Sequence, residues 1–132
     1  MKRFGLSSKE RIKSKKLFEI LFSTGTFIHT SAGKLKAVFC LIDDSPSKGI
    51  KAAFVISKRC GNAVWRNRLR RLLKESYRTN KDLIVCKKDK LLLVAFLSGN
   101  LNEKNVDNIR LEDVITEMKE LMKKTNGKIN DA

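Results

Sequence analysis

His29 is the only histidine in the chain, and no recognisable motif ties a serine or cysteine nucleophile to it. A triad needs a positioned set of partners, so His29 reads as a structural or surface residue. Cys40, Cys60 and Cys86 are odd in number and never spaced as C-x-x-C. That spacing suggests neither a disulfide framework nor a thiolate zinc site, and the three read as reduced small hydrophobes. A His/Cys metal cluster would need all four of these residues at once. The strings G-x-x-x-x-G-K-[ST], G-x-G-x-x-G and H-E-x-x-H do not occur, which leaves no phosphate cradle or zincin helix in the pattern. Asp43-Asp44 and Glu112-Asp113 are adjacent acids. Adjacent carboxylates do not face one another, and these suit a solvated turn and a helix dipole. No catalytic residue is expected.

Residues 58–71, KRCGNAVWRNRLRR, offer a different chemistry. Five arginines lie between Arg59 and Arg71 with no acidic residue among them. Gly61 offers backbone freedom, Asn62 can cap a following helix, and Arg66 and Arg68 fall near the unpaired N–H groups of that helix start. Guanidinium forks grip phosphate bidentately, which lysine cannot do. A solvated helix face is the ordinary reading of a charge run. Arginines packed this densely with no acidic neighbour have no evident intramolecular use, so the stretch is expected to hold an anion.

The charge of the whole chain agrees. Twenty-nine basic against 14 acidic residues give +15, which is self-repelling unless a polyanion neutralises it. Residues 1–16 carry seven basic and one acidic side chain, residues 58–78 eight and one, and the rest 14 and 12. Basicity is placed rather than spread, and nucleic acid is the leading partner. No apolar run could span a bilayer and the first residues lack a secretory signal, so a cytoplasmic location is expected. At 132 residues and 42% hydrophobic, one domain with one core is expected.

The elements that would position the basic stretch follow from periodicity. Residues 1–13 read as a basic arm whose Phe4, Leu6 and Ile12 can pack locally. Lys15 to Thr24 predicts a helix, capped by Ser14 and ended by a left-handed Gly25, with Leu17/Leu21 and Phe18/Phe22 at i, i+4. Thr26–Thr30, Lys34–Ile42 and Ile50–Ser57 predict strands, the last two joined as a hairpin through the turn residues from Asp43 to Gly49. Asn62 to Thr79 is the strongest helix, with Trp65, Leu69, Leu72, Leu73, Ser76 and Tyr77 on one face and cations on the rest. Leu91–Leu97 is a strand buried on both sides. Leu111 to Met122 marks a last amphipathic helix that Asn126-Gly127 closes, leaving 125–132 as a flexible tail. The order α-β-β-β-α-β-α predicts a two-layer α/β sandwich.

GNAVWRNRLRR, residues 61–71, resembles the RNR motif G-N-A-V-x-R-N-R-x-[KR]-R of the bacterial ribonuclease P protein component. Phe18, Leu21, Phe22 and Gly25 are similar to that family's first-helix pattern F-x-x-[VL]-F-x-x-G, and FVISKR, residues 54–59, to its strand leading into S-K-[KR]. Trp65 and Phe96 depart from the family pattern, which usually has a small or aliphatic residue and a basic residue there. The resemblance implies the ribosomal protein S5 domain 2-like fold. It also implies a cytoplasmic subunit, one protein per RNA, of the ribonucleoprotein that removes the 5′ leader of precursor tRNA. The RNA subunit, with magnesium, would carry the chemistry, and the protein alone would not be catalytic.

Site residues follow from the same resemblance. Lys58, Arg59, Asn62, Arg66, Asn67, Arg68, Arg70, Arg71 and Lys74 inherit contact with the catalytic RNA. Phe18 and Phe22 inherit the leader-binding cleft, joined by Phe39, or by Cys40 in the other register. From the residues alone, Phe18 and Phe22 remain open between that cleft and core packing.

Two other functions compete: a generic or ribosome-associated RNA-binding protein, and a DNA regulator reading a groove with the Asn62–Thr79 helix. A DNA reader would favour duplex and base sequence, whereas the aromatic cleft favours single strands.

Overall fold

The computed structural model describes residues 11–12, 14–43, 49–85 and 90–130. The arm up to Lys9-Glu10, the turn residues 44–48, Cys86 and the last two residues lie outside that set. Seven named elements follow in chain order: α1 (Lys15–Thr24), β1 (Thr26–His29), β2 (Lys36–Ile42), β3 (Gly49–Val55), α2 (Ala63–Thr79), β4 (Leu91–Leu97) and α3 (Leu111–Ile129). This is the predicted α-β-β-β-α-β-α order, and the fold is the expected mixed α/β sandwich.

Strand pairing differs from expectation. The sheet order is β1-β2-β4-β3. β4 lies antiparallel to β2, with Val38 opposite Ala95, and parallel to β3, with Ala53 opposite the same residue. The predicted β2–β3 hairpin does not form. The physical reason is the run Leu91–Leu97, whose first six residues are buried: so apolar a strand needs both faces and both edges covered, and it takes the centre. β3 becomes an edge strand, and Arg11 and Ile12 run beside it. The Ile12 N–H donates to Ala52 O at 3.1 Å, and the Ile12 side chain is buried.

Alternation along the strands divides the core. Ile28, Ala37, Phe39, Ala52, Leu92, Val94 and Phe96 face α2 and α3, meeting Trp65, Leu69, Leu73, Tyr77, Met118 and Leu121. Val38, Ala53, Leu91, Leu93 and Ala95 face the other way, where α1 lays Leu21 over them with Leu17 and Phe18 at the margin.

Ser14 caps α1 through Leu17 N–H at 3.4 Å. Gly25 is not left-handed: at φ −74° it is extended. Its lack of a side chain serves close approach instead, since a Cβ there would fall 2.7 Å from Val38 Cγ2 and 2.9 Å from Phe39 O. The tail expectation is corrected for residues 125–130. α3 continues past Asn126-Gly127 to Ile129, with Thr125 and Ile129 buried, because burying Ile129 outweighs the glycine's weak helix propensity.

Candidate nucleic-acid interface

α2 carries the basic stretch, and its first turn is fixed by atoms from elsewhere in the chain. Asn62 Oδ1 accepts from Trp65 N–H at 2.9 Å, the expected cap. No acidic residue lies in that first turn, but Glu103 supplies a carboxylate from the loop after β4. Its Oε1 accepts from the Asn62 backbone N–H at 3.0 Å and its Oε2 from Asn62 Nδ2 at 3.2 Å. A carboxylate at a helix N-terminus is favoured by the dipole and satisfies groups that helix geometry leaves open. Gly61 is extended at φ 167°, so its conformation is not special. What matters is space, because a Cβ there would stand 2.9 Å from Glu103 Cβ and 3.1 Å from Trp65 Cε3.

The same loop touches α2 twice more at matching intervals. Trp65 Nε1–H donates to Val106 O at 2.8 Å, and Arg68 Nε–H to Ile109 O at 2.6 Å. Residues 62, 65 and 68 thus meet residues 103, 106 and 109 in register. Trp65, only 3% exposed, is the central anchor. Its departure from the family pattern is a packing feature of this clamp, and Phe96 likewise lies in the core, stacked on Phe54 at 5.7 Å.

The clamp leaves the cations directed outward on both flanks of the buried stripe. Arg66 Nε–H donates to Gly61 O at 3.1 Å and Arg70 Nη1–H to Asn67 Oδ1 at 3.1 Å, which fixes two guanidinium planes. Lys58 and Arg59 form a short 3-10 turn ahead of Gly61 and are exposed. The side chains of Lys58, Arg59 and Arg71 have no hydrogen-bond or ion-pair partner among the described residues. Arg68, Arg71, Leu72, Lys74 and Glu75 line a surface groove of about 460 Å³. Glu75 is drawn toward the helix C-terminus by Arg78 at 2.6 Å, and that hydrogen bond holds the Arg78 pKa above its ordinary value. The nine residues expected at an RNA surface therefore fall on one turn and one helix. Asn62 stands apart from the rest, because its Oδ1 and Nδ2 atoms are engaged within the protein.

The aromatic residues divide. Phe18 and Phe22 stack at 6.4 Å between ring centroids and 14° between planes, and Phe27 of β1 stands 6.3 Å from Phe22. Phe18 is half-buried; Phe22 is 38% and Phe27 57% exposed. Phe39 is not with them. It is buried on the α2–α3 face, opposite to α1, so the expectation that it lines a leader cleft is corrected. Strand alternation puts Cys40 on the α1 side, its Sγ 3.6 Å from Thr24 Oγ1. Phe27 escaped the sequence reading, although Phe27-Ile28 in a strand must send one of two adjacent apolar side chains away from the main core.

Among the described residues no three histidine, cysteine or carboxylate groups are placed to hold a metal ion jointly. No described helix is long and apolar enough to cross a membrane.

The family model for ribonuclease P matches residues 6–126. The chain belongs to the ribonuclease P protein family. It is similar to the ribonuclease P protein component of Syntrophus aciditrophicus, with 27% identity over 124 residues covering 94% of this chain and 93% of that one. It is 33% identical over 92 residues to the component of Citrifermentans bemidjiense, covering 66% of this chain and 69% of the relative. In fold it is similar to the RNase P protein of Thermotoga maritima, with a TM-score of 0.67 and 20% identity over 87% of this chain and 96% of that one. The RNase P protein of Staphylococcus aureus is likewise similar, with a TM-score of 0.64 and 18% identity over 88% and 94%. As a family member the chain is a protein component of ribonuclease P, a tRNA-processing ribonucleoprotein, and thus a subunit of a ribonuclease.

Proposed function

We propose that the chain grips the catalytic RNA of ribonuclease P with the α2 surface and holds the 5′ leader of precursor tRNA against α1. The observation that carries this reading is the cationic face of α2, anchored through Trp65 and Arg68 to backbone carbonyls, with the Glu103 carboxylate at its start taken up by Asn62. Guanidinium groups held in fixed planes bind phosphate with less ordering cost than mobile ones. Exposed Phe22 beside Phe18 supports leader binding, because an aromatic face stacks on any base and so tolerates any leader sequence.

In this reading the phosphodiester is cut by the RNA subunit with its magnesium, in the cytoplasm, and one protein serves each RNA. The protein contributes position and charge: arginines screen the phosphates that converge where RNA subunit and substrate meet. Purifying the chain from its host and sequencing the bound RNA tests the proposal. A single structured RNA enriched with precursor tRNAs is expected; ribosomal RNA or scattered messages in its place would favour a generic RNA-binding protein.

A further inference from the structure

The aromatic row does not stop at α1. Phe27 is the most exposed of the described phenylalanine, tyrosine and tryptophan rings, and it belongs to β1, the edge strand beside α3. There a groove of about 420 Å³ is lined by Phe27, Ile28, His29, Lys124, Gly127 and Lys128. Its charges are not equivalent. Lys124 Nζ donates to His29 O at 2.8 Å and pairs with Glu120 at 2.9 Å. That carboxylate is also held by Ser31, through N–H at 2.8 Å and Oγ–H at 3.0 Å. Lys128 is exposed, and its side chain has no partner among the described residues. Glu120, the acid paired with Lys124, is thus satisfied within the protein, while Lys128 is left as a cation in the same groove as Phe27.

We propose that Phe27 and this β1–α3 groove form a second single-stranded RNA site, taking leader nucleotides beyond those at Phe18 and Phe22. The proposal rests on the leader-binding reading and extends it to a named surface. Two features commit the groove to RNA. Phe27 stands 6.3 Å from Phe22 and tilted 50° to it, so it offers a separate exposed face to a base next along the strand from those at the stacked Phe18–Phe22 pair. Lys128 then offers an unneutralised charge within the same groove, as a phosphate backbone requires.

The test uses holoenzyme assembled from this chain and a bacterial ribonuclease P RNA, with precursor tRNAs carrying leaders of about four or about twelve nucleotides. Phe27→Ala with Lys128→Ala should weaken the longer substrate about tenfold and leave the shorter one and mature tRNA within about twofold. Phe27→Trp should retain the long-leader preference, which a merely structural ring would not predict. Phe22→Ala serves as the control. If it lowers affinity for both leaders while the Phe27/Lys128 variant matches the parent at every length, the groove proposal falls and the leader reading stands. If Phe22→Ala also fails to distinguish leadered from mature tRNA, both fall. A variant that changes the oligomeric state of the free protein and not its leader dependence would reassign the β1 edge to self-association and overturn the proposal.

Discussion

The carboxylate of Glu103 accepts hydrogen bonds from both the backbone N–H and the side-chain amide of Asn62, at 3.0 and 3.2 Å. A loop residue 41 positions away in the chain thereby completes the cap of the helix that bears the arginines. Glu103→Ala removes both acceptors and should lower stability by about 1–2 kcal/mol, with Glu103→Gln, which keeps one acceptor, losing less. Thermal denaturation of the three proteins checks the order; equal midpoints would show that the loop does not support α2.

Arg71 and Arg68 should behave differently although both are exposed arginines of one helix. Arg71→Ala removes an unpartnered cation and should flatten the salt dependence of RNA binding by about 0.7–0.9 per lost phosphate contact, leaving the melting temperature unchanged. Arg68→Ala also gives up the bond to Ile109 O, so both the slope and the melting temperature should fall. Binding titrations across ionic strength, paired with denaturation, separate the two; an unchanged slope for Arg71→Ala would mean that it touches no phosphate.

Phe39 and Phe22 form a second contrast. Phe39→Ala empties a core site and should cost about 3–5 kcal/mol of stability. Phe22→Ala, at a ring 38% exposed, should cost little stability but reduce affinity for precursor tRNA more than for mature tRNA, by a stacking contribution of about 1–3 kcal/mol. Equal losses for the two tRNAs would return Phe22 to a packing role.

Acid sensitivity should centre in part on Glu120. The hydrogen bond from Lys124, aided by Ser31, holds its carboxyl below the ordinary 4.5. A lowered folded-state value gives stability that is present above the unfolded value and lost as pH falls through the folded one. Glu120→Gln should therefore show a shallower loss of stability below about pH 4.5 than the parent protein, and the two should run parallel from pH 6 to 8. The group is in part open to solvent, which screens it, so the difference should be small.

Local patterns wrote much of this fold into the sequence. The 3.6-residue stripe from Trp65 to Tyr77 placed α2, the apolar run placed β4, and Ser14 and Asn62 are the caps their positions suggested. What stayed hidden depends on partners distant in the chain. β2 and β3 carry the same hairpin signals whether or not β4 inserts between them. Whether Phe39 or Cys40 faces α1 depends on a register that a single residue inverts. Glu103 sits in a polar, asparagine-rich loop where one more acid is unremarkable, and only the folded chain brings it to Asn62. The extra turns of α3 have the same cause, since burial of Ile129 in the main core overrides Asn126-Gly127.

The most direct test of the account is reconstitution. Titrating the chain into a bacterial ribonuclease P RNA at magnesium too low for the RNA alone should restore cleavage of precursor tRNA at the mature 5′ end, saturating at one protein per RNA. Cleavage rates unchanged across the titration, with the protein shown to be folded, would contradict it.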